Sequence, residues 1–199
     1  GLGDVYKRQI VLCSSEYLKE KVISRSGINR EVHIINNAIS LPQIRHFDSF
    51  PSKVQDAINL LKSLKCSLLY IGTISQWFDF KLICEALDKK EDVQLVLIGP
   101  KDCDIPSHKQ IHYIGSVERQ YIYSLMEQAS ALVMPFIVNE LIRSVNPVKM
   151  YEYIYMEKPI IAPHYGEMEK FLPYINLYHD NDEFMSLVDQ PVSYTHLTL

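Results

Sequence analysis

The sequence predicts an α/β protein: a parallel sheet covered by helices on both faces. Three observations carry this. The runs "SLLYIG", "VQLVLIG", "IHYIG", "ALVMP" and "PIIAP" are almost continuously apolar, as strands buried on both faces are. Stretches with helical spacing separate them, and parallel strands need such crossovers. The first three of these runs also end in glycine, where a strand can turn tightly toward the next helix.

The elements follow in order. "IVLCSS" is a short strand ending in turn-forming serines, and "EYLKEKVISRS" is a helix with Leu18, Val22 and Ile23 on one face. "VHIINNAI" reads as a second strand, broken by the Asn36-Asn37 turn signal. Residues 41–51 hold two prolines and no period, which marks a linker. Beyond it, helix "KVQDAINLLKSL" leads to strand "SLLYIG", and a helix near residues 80–87 leads to strand "VQLVLIG". "IHYIG", helix "ERQYIYSLMEQA" and strand "ALVMP" follow. A helix from Asn146 then runs into strand "PIIAP", and "EMEKFL" and "NDEFMSLV" are the last helices.

The chain has 199 residues, of which 47 % are apolar, enough for one sizeable core or parts of two. Its net charge of −4 and the lack of a long basic run argue against a nucleic-acid partner. No apolar stretch approaches the ~20 residues that span a bilayer. The four cysteines stand far apart without CxxC pairs, which argues against a zinc site or a disulfide scaffold and favours a reduced, cytoplasmic protein. "DVYKRQ" at residues 4–9 and "VSYTHL" at residues 192–197 match translations of a transposase sequencing adapter and its reverse complement. Residues 1–9 and 192–199 are therefore set apart from the fold. The native chain is expected to continue in both directions.

Ligands of parallel sheets bind where strand carboxyl ends meet helix N-termini. That edge reads Gly72-Thr73, Gly99-Pro100, Gly115-Ser116 and Pro135. Each glycine can equally be a plain strand-to-helix turn. Neither GxGxxG after the first strand nor GxxxxGK[ST] occurs, so a dinucleotide fingerprint and a P-loop are both unsupported. "NPVKMYEY" holds more. Asn146 is a good N-cap and Pro147 a good first helical residue, so free N–H groups and the positive dipole end face the ligand edge. Lys149 in the first turn opposes that dipole unless an anion is near. Glu152, one turn on and on the same face, can accept two hydroxyl hydrogen bonds from a vicinal diol such as a ribose. An exposed Lys149–Glu152 pair, worth a few tenths of a kcal/mol, is the plain alternative.

Trp77 and Phe78 read as packing residues and Asp79 as a helix cap. His112 and His164 lack a second ligand at metal spacing. Tyr151, Tyr153 and Tyr155 alternate around their helix, and most should pack on the sheet.

With these residues in view, the chain resembles the carboxyl-terminal domain of GT-B glycosyltransferases, nucleotide-sugar enzymes built from two facing Rossmann-like domains. "YEYIYMEKPII" is similar to the family's second glutamate, helix and "GKPV" strand entry. "NPVKMYEY" looks like the "NPxKxYEY" of the branch that makes bacterial cell-surface polysaccharides. "LLYIGTISQWFDFKLICEAL", "VQLVLIGP" and "IHYIGSVERQYIYSLMEQASALVMPF" resemble the family's strands in the family's order, and the start of the chain resembles the end of the amino-terminal domain. The resemblance implies the end of an acceptor-side domain at residues 10–40, a linker at 41–51 and a donor-binding domain at 52–191. It implies Glu152 on the nucleotide ribose and Lys149 by the diphosphate, with Ser144 and Asn146 beside it. Gly72 and Thr73 line the site, and the base lies near Gly115 to Val117.

The resemblance also implies a UDP-sugar donor and a cell-envelope saccharide or lipid-linked acceptor. No cofactor or metal is expected, catalytic residues are expected outside this chain, and peripheral membrane association at the inner face comes through the absent part. Some residues depart from the pattern. Ser144 stands eight before Glu152, where many retaining members have a glutamate, with Glu140 nearby, so both anomeric outcomes stay open. Glu157 replaces the glycine of "GKP". An Arg-Lys phosphate clamp is absent from "GTISQW", which shifts that charge toward Lys149 and Arg143. A UDP-sugar 2-epimerase on the same scaffold and a non-catalytic scaffold domain are the alternative readings.

Overall fold

A computed structural model describes residues 10–26, 31–40 and 49–189. The terminal residues 1–9 and 192–199 and linker residues 41–48 lie outside the described residues. Two parallel sheets are formed. The smaller pairs β1 (Ile10–Cys13) with β2 (Glu31–Ile34), connected through α1 (Glu16–Ser26). The larger contains β3 (Cys66–Ile71), β4 (Val93–Ile98), β5 (Ile111–Gly115), β6 (Ala131–Val133), β7 (Ile160–Pro163) and β8 (Asn176–Tyr178), in the order β5-β4-β3-β6-β7-β8. All its pairings are parallel.

Alternation along the central strands builds a core on each face of the large sheet. Leu69, Ile71, Val96, Ile98 and Leu132 face α2 (Ser52–Ser63), α4 (Ile122–Gln128) and α6 (Val148–Tyr155). Leu68, Tyr70, Leu95, Leu97 and Val133 face α3 (Phe80–Lys89) and α7 (Asn181–Asp189). Phe78 is buried in the second core and Trp77 packs on the first, as their packing role requires. Asp79 caps α3, its carboxylate accepting from the Leu82 N–H at 2.9 Å.

Some expectations need correction. The expected helix over residues 118–129 is divided into a 3-10 turn, Arg119–Tyr121, followed by α4. The segment "EMEKFL" also lies in 3-10 geometry, Gly166–Phe171. Helix α5 (Glu140–Arg143) and strand β8 were not expected; four and three residues are too few to show a period. The second strand ends at Ile34, before Asn36 and Asn37.

Candidate functional site

The strand order reverses between β3 and β6, and a crevice outside the carboxyl ends of the strands at such a point is where open α/β sheets take ligands. The loops leaving the two strands are tied together. The Asp79 N–H donates to the Pro135 carbonyl at 2.8 Å, and the Ile137 N–H to the Trp77 carbonyl at 2.7 Å.

Among the edge glycines, the close approach is between backbones. A Cβ on Gly99, whose φ is +140°, would stand 2.1 Å from the Gly72 carbonyl oxygen. The Gly72 N–H donates to the Ile98 carbonyl at 3.0 Å, and the Gly99 N–H to the Gly115 carbonyl at 3.1 Å. Gly72 and Gly99 thus serve strand packing directly. Thr73 is exposed at the rim, and its carbonyl accepts from the Tyr70 hydroxyl at 2.8 Å. Val117 packs partly against the first core. Lys53, at the start of α2, donates to the Ser116 carbonyl at 2.8 Å and steadies the loop after Gly115.

Helix α6 is fastened to the same edge. Tyr153 is fully buried and its hydroxyl accepts from the N–H of Ile71, the last residue of β3, at 2.9 Å. Burial pushes the Tyr153 phenol well up, so it stays protonated. Tyr151 and Tyr155, only partly buried, pack edge-on against Phe171 and Tyr123.

Next to Tyr153 lies Glu152, 3 % exposed. The Lys149 ammonium sits on its Oε2, and the Arg119 guanidinium donates to its Oε1 at 3.3 Å. Lys149 is 31 % and Arg119 78 % exposed. The expected Lys149–Glu152 pair exists, but it is not an exposed one: the carboxylate is inside and the cations lead outward. Two cations against one carboxylate leave one positive charge in excess within this cluster. Burial first, and then the Glu152 charge, push the nearby Tyr123 phenol up, while Arg119 opposes them.

The helix start is corrected. Val148 is the first residue of α6 and Pro147 occupies the cap position, with no side chain capping it. The Asn146 side chain points elsewhere. Its Oδ1 accepts from the Asn37 N–H at 3.3 Å and the Tyr151 hydroxyl at 3.2 Å, and its Nδ2 donates to Glu167 at 3.3 Å. Tertiary partners outcompete the local cap. The Ser144 hydroxyl donates to the Leu141 carbonyl at 2.5 Å, closing the end of α5. Arg143 is exposed on α5, and Glu140 pairs with Lys21 at 3.1 Å.

The structure thus gathers Lys149 and Glu152 into one cluster and keeps Gly72, Thr73, Gly115 and Val117 on the loops of one sheet edge. Sequence reasoning missed Arg119 and Glu167. For Arg119 the only signal was a cation four residues past Gly115; for Glu167 it was the i,i+3 spacing to Lys170.

Known proteins can be set beside this geometry. The Anabaena protein HepE, solved with UDP-glucose, superposes with a TM-score of 0.71 at 12 % identity, over 93 % of this chain and 54 % of that one. Trehalose-6-phosphate synthase OtsA gives 0.70 at 10 % identity, over 94 % and 52 %. The chain thus has the fold of about half of each of these GT-B glycosyltransferases. An Escherichia coli trehalose-6-phosphate protein bound to UDP-2-fluoro glucose superposes with a TM-score of 0.69 at 10 % identity, over 94 % of this chain and 53 % of that one.

In sequence, the chain is 24 % identical over 190 residues to a Bacillus subtilis (strain 168) protein provisionally named teichuronic acid biosynthesis glycosyltransferase TuaH. That match covers 89 % of this chain and 46 % of TuaH, so the chain spans about half the length of its relative. No family model matches the chain.

Proposed function

We propose that this chain is the donor-binding part of a glycosyltransferase that takes a UDP-sugar and delivers the sugar to a cell-envelope polysaccharide or its lipid-linked precursor. One observation carries the reading: a buried carboxylate, Glu152, held by Lys149 and Arg119 on a helix fastened to the ligand edge of the sheet. The UDP-sugars in the HepE and trehalose-phosphate structures support the donor class, and TuaH's name supports the acceptor class.

In this reading the ribose hydroxyls donate to the Glu152 oxygens, which retain lone pairs beyond the cations they already hold. Lys149 and the first N–H groups of α6 face the diphosphate and stabilise its charge as the sugar leaves. The base lies by Gly115 to Val117, with Ser144 and Asn146 near the phosphates. The acceptor pocket and catalytic base belong to the half of the relatives' length that this chain does not span. Reaction in the cytoplasm, at the inner membrane face, completes the proposal.

Calorimetric titration of UDP into the chain, with Glu152→Ala beside it, tests it. Loss of a charge-assisted hydrogen bond, about 1.5–3 kcal/mol, weakens binding roughly ten- to a hundredfold. Measurable binding by the wild type, weakened by that factor in the variant, is the expected result. Equal binding by both removes the ribose role, and sugar transfer by this chain alone would contradict the placement of the acceptor half.

A further inference from the structure

The described residues contain a second carboxylate buried as deeply as Glu152. Glu167, 3 % exposed, belongs to the 3-10 turn that follows β7. Its Oε1 accepts from the N–H of Glu16, the first residue of α1, at 2.8 Å. Its Oε2 accepts from the Asn146 amide at 3.3 Å, and the Lys170 ammonium donates to the two oxygens at 3.1 and 3.0 Å.

Asn146 is itself 4 % exposed and carries the connection onward. Besides the bonds of its side chain, its carbonyl accepts from the Asn37 amide at 2.6 Å. Alongside, the Ser15 hydroxyl donates to the Ser144 carbonyl at 2.9 Å. The Lys170 contact alone would need no burial, since i,i+3 pairs form readily on surfaces. What burial adds is reach: the other partners stand 21 and 151 residues away.

These bonds converge on the start of α6. Ser144, Asn146 and Tyr151 all take part, and Tyr151 adjoins Glu152 in sequence. We infer that Glu167 is a positioning residue for the candidate donor site. Through Asn146 it holds the start of α6 against α1 and the residues after β2, so the placing of Lys149 and Glu152 depends on this junction between two parts of the chain. The inference rests on the donor-site reading and adds to it a second carboxylate that touches no donor atom.

Two readouts test it on this chain with UDP as the probe. Without nucleotide, hydrogen exchange should quicken about tenfold at the hydrogen-bonded amides of α6, from Met150 onward, in both Glu167→Gln and Asn37→Ala, with β3 and β4 unchanged. In titrations, Asn37→Ala should weaken UDP about tenfold, and by clearly less when added to Glu152→Gln, because part of its effect passes through that carboxylate. Equal weakening in both backgrounds would mark Asn37 as merely structural and overturn the inference. Unchanged exchange at α6 while UDP still binds would sink the positioning role alone. Absence of UDP binding by the wild type would remove the donor-site reading and the positioning role with it.

Discussion

Leu12 and Leu95 are both leucines in parallel strands, yet Leu12 is 59 % exposed on β1 and Leu95 is fully buried on β4. Their local sequences differ little: "IVLC" is as apolar as "VQLVLI". Strand β4 lies between β3 and β5 and has a core on each face. Strand β1 has β2 beside it and α1 as its connecting helix, and Ile10, Leu12 and Ile35 stay exposed. Parallel sheets are found with both faces covered. The larger sheet meets that condition within the described residues, and the smaller one does not. An apolar strand sequence therefore states what a strand requires, while the rest of the fold decides whether it is obtained.

The sharpest test of this contrast is truncation at the two leucines, read by chemical denaturation. Leu95→Ala removes a side chain from a closed core and should cost about 2–5 kcal/mol. A value near zero would mean the larger sheet is not tightly packed around Leu95. Next in size is Tyr153→Phe, which leaves the buried Ile71 N–H without its acceptor and should cost about 1–3 kcal/mol. Loss of UDP binding in step with that destabilisation would show that β3 and the candidate site share one support.

A smaller effect of opposite sign is expected at the turn from α6 into β7. Glu157 has φ +53°, a left-handed conformation that is strained for a residue with a Cβ. Glu157→Gly should stabilise the chain by about 0.5–1 kcal/mol, net of glycine's own entropy cost. Leu12→Ala comes last, with a change within about 0.5 kcal/mol, because little water-excluded contact is lost. A loss as large as that at Leu95 would mean β1 is covered in solution by something besides α1.

How legible each part was follows from the range of the interactions that define it. The long apolar strands β3 and β4 were readable to within a residue or so, since burial on both faces leaves a continuous apolar run. The span of helix α1 was readable, but of the apolar face read from its period Ile23 stays 45 % exposed. Glu157 was noticed as a departure from the "GKP" pattern, and its positive φ now gives the physical reason a glycine suits that position. Lys149 and Glu152 could be paired because one helical turn places them on one face. Burial of that carboxylate could not be read, and neither could Arg119, which reaches it from 33 residues away. Asn146 was misread for the same reason: a capping residue by local rules, it was claimed by Asn37, Tyr151 and Glu167.

The sequence by itself determined an α/β chain of parallel strands, the edge where sheets of this kind take ligands, and the helix bearing Lys149 and Glu152. Those follow from periods of two and 3.6 residues and from side-chain chemistry, which act within a few positions of the chain. Only the tertiary structure decided the strand order, the burial of Glu152 and the junction built on Glu167. Strand order and burial depend on which distant segments meet, and hydrogen bonds spanning 21 to 151 residues leave no local periodic trace in the chain that makes them.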